Sequence, residues 1–132
     1  MRTLSAILSV IFLCSNLLAD TLTINTPLDY QIVQRSSKDK GKIIVAGKLE
    51  TTKAEVGAIE ARLIGKGIKG DWQKLLATPK GESFRGNLEA PTGAWYAVEV
   101  RALEQNIPFI SASVAHVGVG EVFVIAGQSN SA

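Results

Sequence analysis

Residues 58–64 read AIEARLI, with Ile59, Ala61 and Leu63 on one parity and Glu60 and Arg62 on the other. Residues 95–103, WYAVEVRAL, repeat the pattern, setting Tyr96, Val98, Val100 and Ala102 against Glu99 and Arg101. A period of two belongs to a strand with one buried and one wet face, which is the habit of antiparallel sheets. This pattern constrains the chain more than any other feature. Five further segments fit it less regularly: 21–27, 30–35, 41–50, 83–89 and 108–120. Between them fall the turn-forming stretches PKGE (79–82), PTGA (91–94) and QNIP (105–108). The expected fold is mainly β, a small antiparallel β-sandwich of Ig-like type. The one helical candidate is DWQKLLA (71–77), for which a strand and loop serve equally well.

The beginning of the chain reads as an address. Arg2 precedes the apolar stretch LSAILSVIFL (4–13), and NLLAD follows, the layout of a secretory signal peptide cut after Ala19. The stretch is short for a membrane span, which needs about 20 apolar residues. A lipidated Cys14 is disfavoured because bulky Leu13 stands where a small residue is required. The expected product is exported, periplasmic or extracellular, with no stable membrane span once residues 1–19 are removed.

That mature part has no cysteine and must be held by its apolar core, which a domain of about 110 residues can supply. The formal charge of the whole chain is only +2, which argues against nucleic acid as a partner. The basic cluster KDKGK (38–42) reads as a solvated hairpin loop. GKGIKG (65–70) matches G-x-G-x-x-G but lacks the surrounding βαβ unit, so it reads as a glycine-rich hairpin or loop without a dinucleotide. One histidine and no C-x-x-C give no basis for a metal site, and no cofactor is expected. Tyr30, Trp72, Trp95 and Tyr96 suit a sandwich core; the alternative is an aromatic platform for sugar rings.

The rhythm changes after residue 120. In EVFVIAG (121–127) five apolar residues follow one another, as in a strand covered on both faces; a last sandwich strand is the alternative, and the polar, glycine-led tail favours the first. Gly127, Gln128, Ser129 and Asn130 come next, a glycine and a serine where the carboxyl end of such a strand would lie. In open α/β sheets chemistry gathers at that end. From spacing alone, Ser129 is either a presented nucleophile or a serine in a polar tail, since GQSN is not G-x-S-x-G.

The stretch VGVGEVFVIAGQSNSA (117–132) resembles the start of the catalytic domain in SGNH hydrolases of the sialate O-acetylesterase-like group. Gly120-Glu121-Val122, aromatic Phe123 and Gly127-Gln128-Ser129-Asn130 carry the likeness. DYQIVQR, EARL and GAWYAVEVRA resemble, less specifically, the β-sandwich that often precedes that domain. The resemblance implies three parts: a signal peptide (1–19), a sandwich (20–118) and the first strand of a truncated α/β SGNH domain (119–132). It implies that Ser129 is the nucleophile, that its backbone N–H is one oxyanion donor, and that Gly127, Gln128 and Asn130 support the motif. The substrate implied is an acetylated carbohydrate. The family's other oxyanion donors and its histidine base fall later than residue 132, so the 132-residue chain is expected to be inactive. His116, the single histidine, precedes the serine by an extended stretch of tens of ångströms at about 3.3 Å per residue and reads as a strand or linker histidine. The competing readings are a non-catalytic β-sandwich module that binds a glycan or a protein, and a remnant without function.

Overall fold

The computed structural model describes residues 19–78 and 82–127. Ten strands are found: β1 (Thr21–Thr26), β2 (Gln31–Gln34), β3 (Lys40–Glu50), β4 (Ala58–Gly65), β5 (Ile68–Lys69), β6 (Gln73–Lys74), β7 (Leu76–Ala77), β8 (Phe84–Pro91), β9 (Trp95–Glu104) and β10 (Ile107–Gly120). Among the described residues there is no helix. The 71–77 segment takes its strand alternative, as β6 on the β4 edge and β7 on the β8 edge.

Two sheets form, the arrangement of a β-sandwich. One has the order β1-β3-β8-β7; the other runs β2-β10-β9-β4-β5, with β6 also on β4. Pairing is antiparallel except between β10 and β2, which run parallel through Val117–Gln31 to Gly120–Gln34. That single parallel pair departs from the wholly antiparallel expectation. Pairing with its neighbours in sequence is closed to β2, because β1 and β3 belong to the other sheet.

The alternating segments bury the parity the sequence predicts. Ile59, Ala61 and Leu63 of β4, and Tyr96, Val98, Val100 and Ala102 of β9, face Ile43, Val45 and Leu49 of β3 and Phe84, Leu88 and Ala90 of β8. Val117 and Val119 of β10 join this core. Two hairpins turn tightly: Lys66-Gly67 joins β4 to β5 and Gln105-Asn106 joins β9 to β10. All four turn residues have positive φ, which matches the right-handed strand twist. Of the hairpin and loop readings of GKGIKG, the hairpin is the one formed.

One glycine is placed by packing. Gly47 of β3 lies opposite Phe84 of β8, and an added Cβ would sit 1.9 Å from the Thr23 carbonyl oxygen and 2.6 Å from Phe84 Cζ. The Phe84 ring and the β1 backbone occupy the space a side chain would need.

Candidate functional site

The outer face of the β2-β10-β9-β4 sheet holds the side chains with chemical potential. Its middle is a charge lattice. Glu60 and Arg62 of β4 pair in register with Arg101 and Glu99 of β9. The contacts are Arg62 Nε to Glu99 at 2.7 Å and Arg101 Nη2 to Glu60 at 2.7 Å. Opposite charges directly across a strand pair are mutually supporting. Trp72, from the loop before β6, lies over this lattice. Its ring centroid is 4.4 Å from the Arg62 guanidinium carbon and 4.0 Å from that of Arg101, within the range of cation–π attraction. Beside it a groove of about 650 Å³ continues over β10, where Ser111 and Ser113 stand opposite Arg101 and Glu99.

The other end of the same face is aromatic. Trp95 pairs with Gly118, and Gly118 with Ile32, so one row runs across β9, β10 and β2. A Cβ on Gly118 would fall 2.8 Å from Ile32 Cδ1 and 3.4 Å from Trp95 Cζ3, so the missing side chain lets both neighbours lie across the strand. Tyr30 stacks on His116 with centroids 4.3 Å apart and planes at 7°, and Trp95 meets both rings edge-on. Trp95 is 48 % exposed and Tyr30 64 %.

These positions correct the core reading of the aromatic residues. Tyr96 is in the core; Trp72, Trp95 and Tyr30 are on the outer face of the sheet. For Trp95 the signal lay in its own strand, since a buried Tyr96 puts its neighbour outside. Trp72 sits in a stretch without periodicity, and nothing in its sequence context points to Arg62 and Arg101.

Sequence reasoning also missed Asp29. Its carboxylate accepts from the His116 backbone N–H at 2.9 Å and lies 3.1 Å from the ring Nδ1. A carboxylate on one ring nitrogen is how a general base is oriented in serine hydrolases. Here the ring is also stacked on Tyr30, which makes His116 a strand residue that anchors the 27–30 turn.

Ser129, Gln128 and Asn130 lie outside the described residues. Gly127 is the last described residue before them, at the end of an exposed segment. Residues 121–127 form no strand. The segment is fastened at its start: Glu121 pairs with Arg35, and the Val122 N–H donates to Gln34 Oε1 at 2.8 Å. From there Val122, Phe123, Val124 and Ile125 are exposed. KDKGK straddles the start of β3, with Lys40 Nζ 2.9 Å from Glu89. Among the described residues no group of three or more His, Cys, Asp or Glu is placed to hold a metal ion. Nor is any helix long and apolar enough to cross a membrane.

Comparison with known proteins finds no match to a family model, a curated protein or a solved structure.

Proposed function

We propose that this chain is the N-terminal portion of an exported carbohydrate O-acetylesterase of the sialate O-acetylesterase-like SGNH type. In this reading the sandwich is Ig-like, and Ser129 attacks the acetyl carbonyl to give an acyl-serine that water then hydrolyses. The observation that carries the reading is the join between the end of β10 and the GQSN stretch. There an apolar run of the kind that fills a two-sided strand leaves the sandwich with its side chains in solvent. A run of this composition is suited to burial in a further sheet, and GQSN follows it where a nucleophile is expected. The Ser129 backbone N–H would supply one oxyanion donor. His116 is already engaged with Asp29 and Tyr30 on the sandwich, so the reading takes its base from sequence beyond residue 132.

The test compares four purified proteins on a simple aryl acetate and on acetylated sugars. These are the 132-residue chain, the same chain extended by its in-frame downstream sequence, and the extended chain carrying Ser129→Ala or His116→Ala. The 132-residue chain is expected to be inactive, since loss of the base in a serine hydrolase costs on the order of a million-fold in turnover. The extended chain is expected to hydrolyse the esters, to lose that activity with Ser129→Ala and to keep it with His116→Ala. Hydrolysis by the short chain, or indifference of the extended chain to Ser129→Ala, would overturn the assignment.

A second reading, a non-catalytic binding module, is favoured by the outward placement of Trp72 and Trp95. A stop codon directly after Ala132 would favour it over the esterase.

A further inference from the structure

Both tryptophans of the chain lie on the outer face of one sheet. Large aromatic side chains bury more apolar area than any others, and a small sandwich core would gain from them. This core takes neither. Trp95 marks one end of the face. Trp72 marks the other, resting over Arg62 and Arg101, which lie in the rows of Glu99 and Arg101, four and six positions along β9 from Trp95. At the rise of a strand that spacing is about 13–20 Å. Glu99 and Ser113 lie on the way from Trp95, with Arg101, Ser111 and the groove of about 650 Å³ at the Trp72 end. Hydrogen-bonding groups therefore line a track with an aromatic ring at each end.

The charges on this track say what it can hold. Glu60 and Glu99 are each matched by an arginine at 2.7 Å, so these four side chains carry no net charge; Lys74 of β6, in register with Glu60, is a further cation at the β4 edge. At the arginines an anion would have to displace a carboxylate from its guanidinium, and at the carboxylates a cation would have to displace a guanidinium. A neutral polyhydroxylated ligand needs neither exchange. It can donate to the outer carboxylate oxygens, accept from the remaining guanidinium and serine donors, and lay its C–H faces on the rings. The pairing also holds the arginines and carboxylates in place before a ligand arrives, which lowers the ordering cost of binding.

We infer that the outer face of the β2-β10-β9-β4 sheet is a binding track for a neutral oligosaccharide, anchored by Trp72 and Trp95. The choice of a sugar over another neutral polyol rests on the carbohydrate context proposed above; the position of the track rests on the sandwich alone. The length of the face predicts that binding strengthens from a monosaccharide to an oligosaccharide long enough to reach both rings.

Because the chain has two tryptophans and both are on the track, intrinsic fluorescence reads the site directly. The 132-residue chain is titrated with xylohexaose, mannohexaose and chitohexaose, with the corresponding monosaccharides, and with the polyanion heparin. At least one neutral hexasaccharide is expected to shift the emission saturably, with the monosaccharides at least tenfold weaker and heparin without effect at physiological salt. Affinity electrophoresis in gels cast with the corresponding polysaccharide then compares variants. Trp72→Ala and Trp95→Ala are each expected to weaken retardation by about tenfold, in line with the loss of an aromatic anchor. Arg101→Lys, which keeps the charge but not the planar fork, is expected to weaken it less. Ile44→Ala, on the outer face of the other sheet, serves as control and is expected to have no effect. Circular dichroism of each variant checks the fold.

Saturable binding of heparin alone, binding indifferent to both tryptophan substitutions, or no response to any of the hexasaccharides would overturn the track. The esterase reading fails or stands separately. An extended chain that hydrolyses acetyl esters while the sandwich ignores glycans sinks only the track, and glycan binding by a protein with no esterase downstream sinks only the enzyme.

Discussion

Val119 is 4 % exposed and Val124, five positions later, is 91 % exposed. The two valines lie on either side of the end of β10. Up to Gly120 the chain is paired, with β9 from Ile107 to Gly118 and with β2 from Val117 to Gly120, and Val117 and Val119 reach the core beneath one face. Beyond it the apolar residues are just as frequent, but they are consecutive and no strand pairs with them. An alternating strand asks for one covered face, which the opposite sheet supplies. A consecutive run asks for two, and this sandwich has no second layer to offer. Hydrophobicity alone therefore does not decide burial here; periodicity matched to available partners does.

The sharpest way to break that comparison is to truncate the same residue type on each side. Ile43 is fully buried at the centre of the core and Ile125 is 96 % exposed. Ile43→Ala is expected to destabilise the fold by about 2–5 kcal/mol, the range for an isoleucine-to-alanine cavity. Ile125→Ala should stay within about 0.5 kcal/mol of the parent, as for a surface substitution. Urea denaturation midpoints of the two variants provide the measurement. A comparable loss in Ile125→Ala would mean that residues 121–127 pack on the sandwich after all.

The next effect comes from adding atoms to the buried side. Gly47→Ala places a Cβ against the Thr23 carbonyl, a backbone atom that cannot rotate away. Either β1 shifts or the Phe84 ring leaves its place. Overpacking of this kind costs typically about 1–3 kcal/mol. Hydrogen exchange should locate the damage: amides of the β1–β3 ladder are expected to lose protection before those of β9 and β10. A uniform loss across both sheets would show that the strain is not local to the β1 edge.

These contrasts also bear on what was legible beforehand. The seven longer strands stood out because each has a two-faced pattern or a clear turn at its border, and the buried parity of β4 and β9 followed directly. The parallel β2–β10 pair was not legible. It depends on which edge of the finished sheet β2 reaches, and no local pattern encodes that. The 71–77 segment was ambiguous because strands as short as β6 and β7 are defined by the edges they join. The candidate site divides the same way. Alternation alone places Glu60, Arg62, Glu99 and Arg101 on a wet face, and their register makes them pairs. Asp29 and Trp72 come from turns and loops, so their meeting with His116 and with the arginines is a tertiary fact. The motif around Ser129 rests on its residues, and Gly127 marks where the described chain leaves off.

The smallest expected effect contrasts the two tyrosines, one in the core and one on the outer face. The Tyr96 hydroxyl is buried and finds no hydrogen-bond partner among the described residues. Removing an unsatisfied buried hydroxyl while keeping the ring is expected to be neutral or stabilising, by up to about 1 kcal/mol for Tyr96→Phe. The pH dependence gives a second handle. Burial disfavours the charged phenolate and pushes the Tyr96 pKa above its ordinary value of 10.0. Below pH 10 the hydroxyl is neutral whether the chain is folded or unfolded, so ionisation takes nothing from stability. As pH rises past 10 the unfolded chain releases this proton while the folded chain retains it, and stability falls. Tyr96→Phe removes that loss, so its advantage over the parent should widen between about pH 9 and pH 11. Tyr30→Phe, at an exposed residue on the outer face, is measured beside them as the surface counterpart. Urea midpoints of the three proteins measured at both pH values decide it. A gap that stays constant would mean that the Tyr96 hydroxyl has reached water or a partner in solution, and that the core is looser around β9 than its packing indicates.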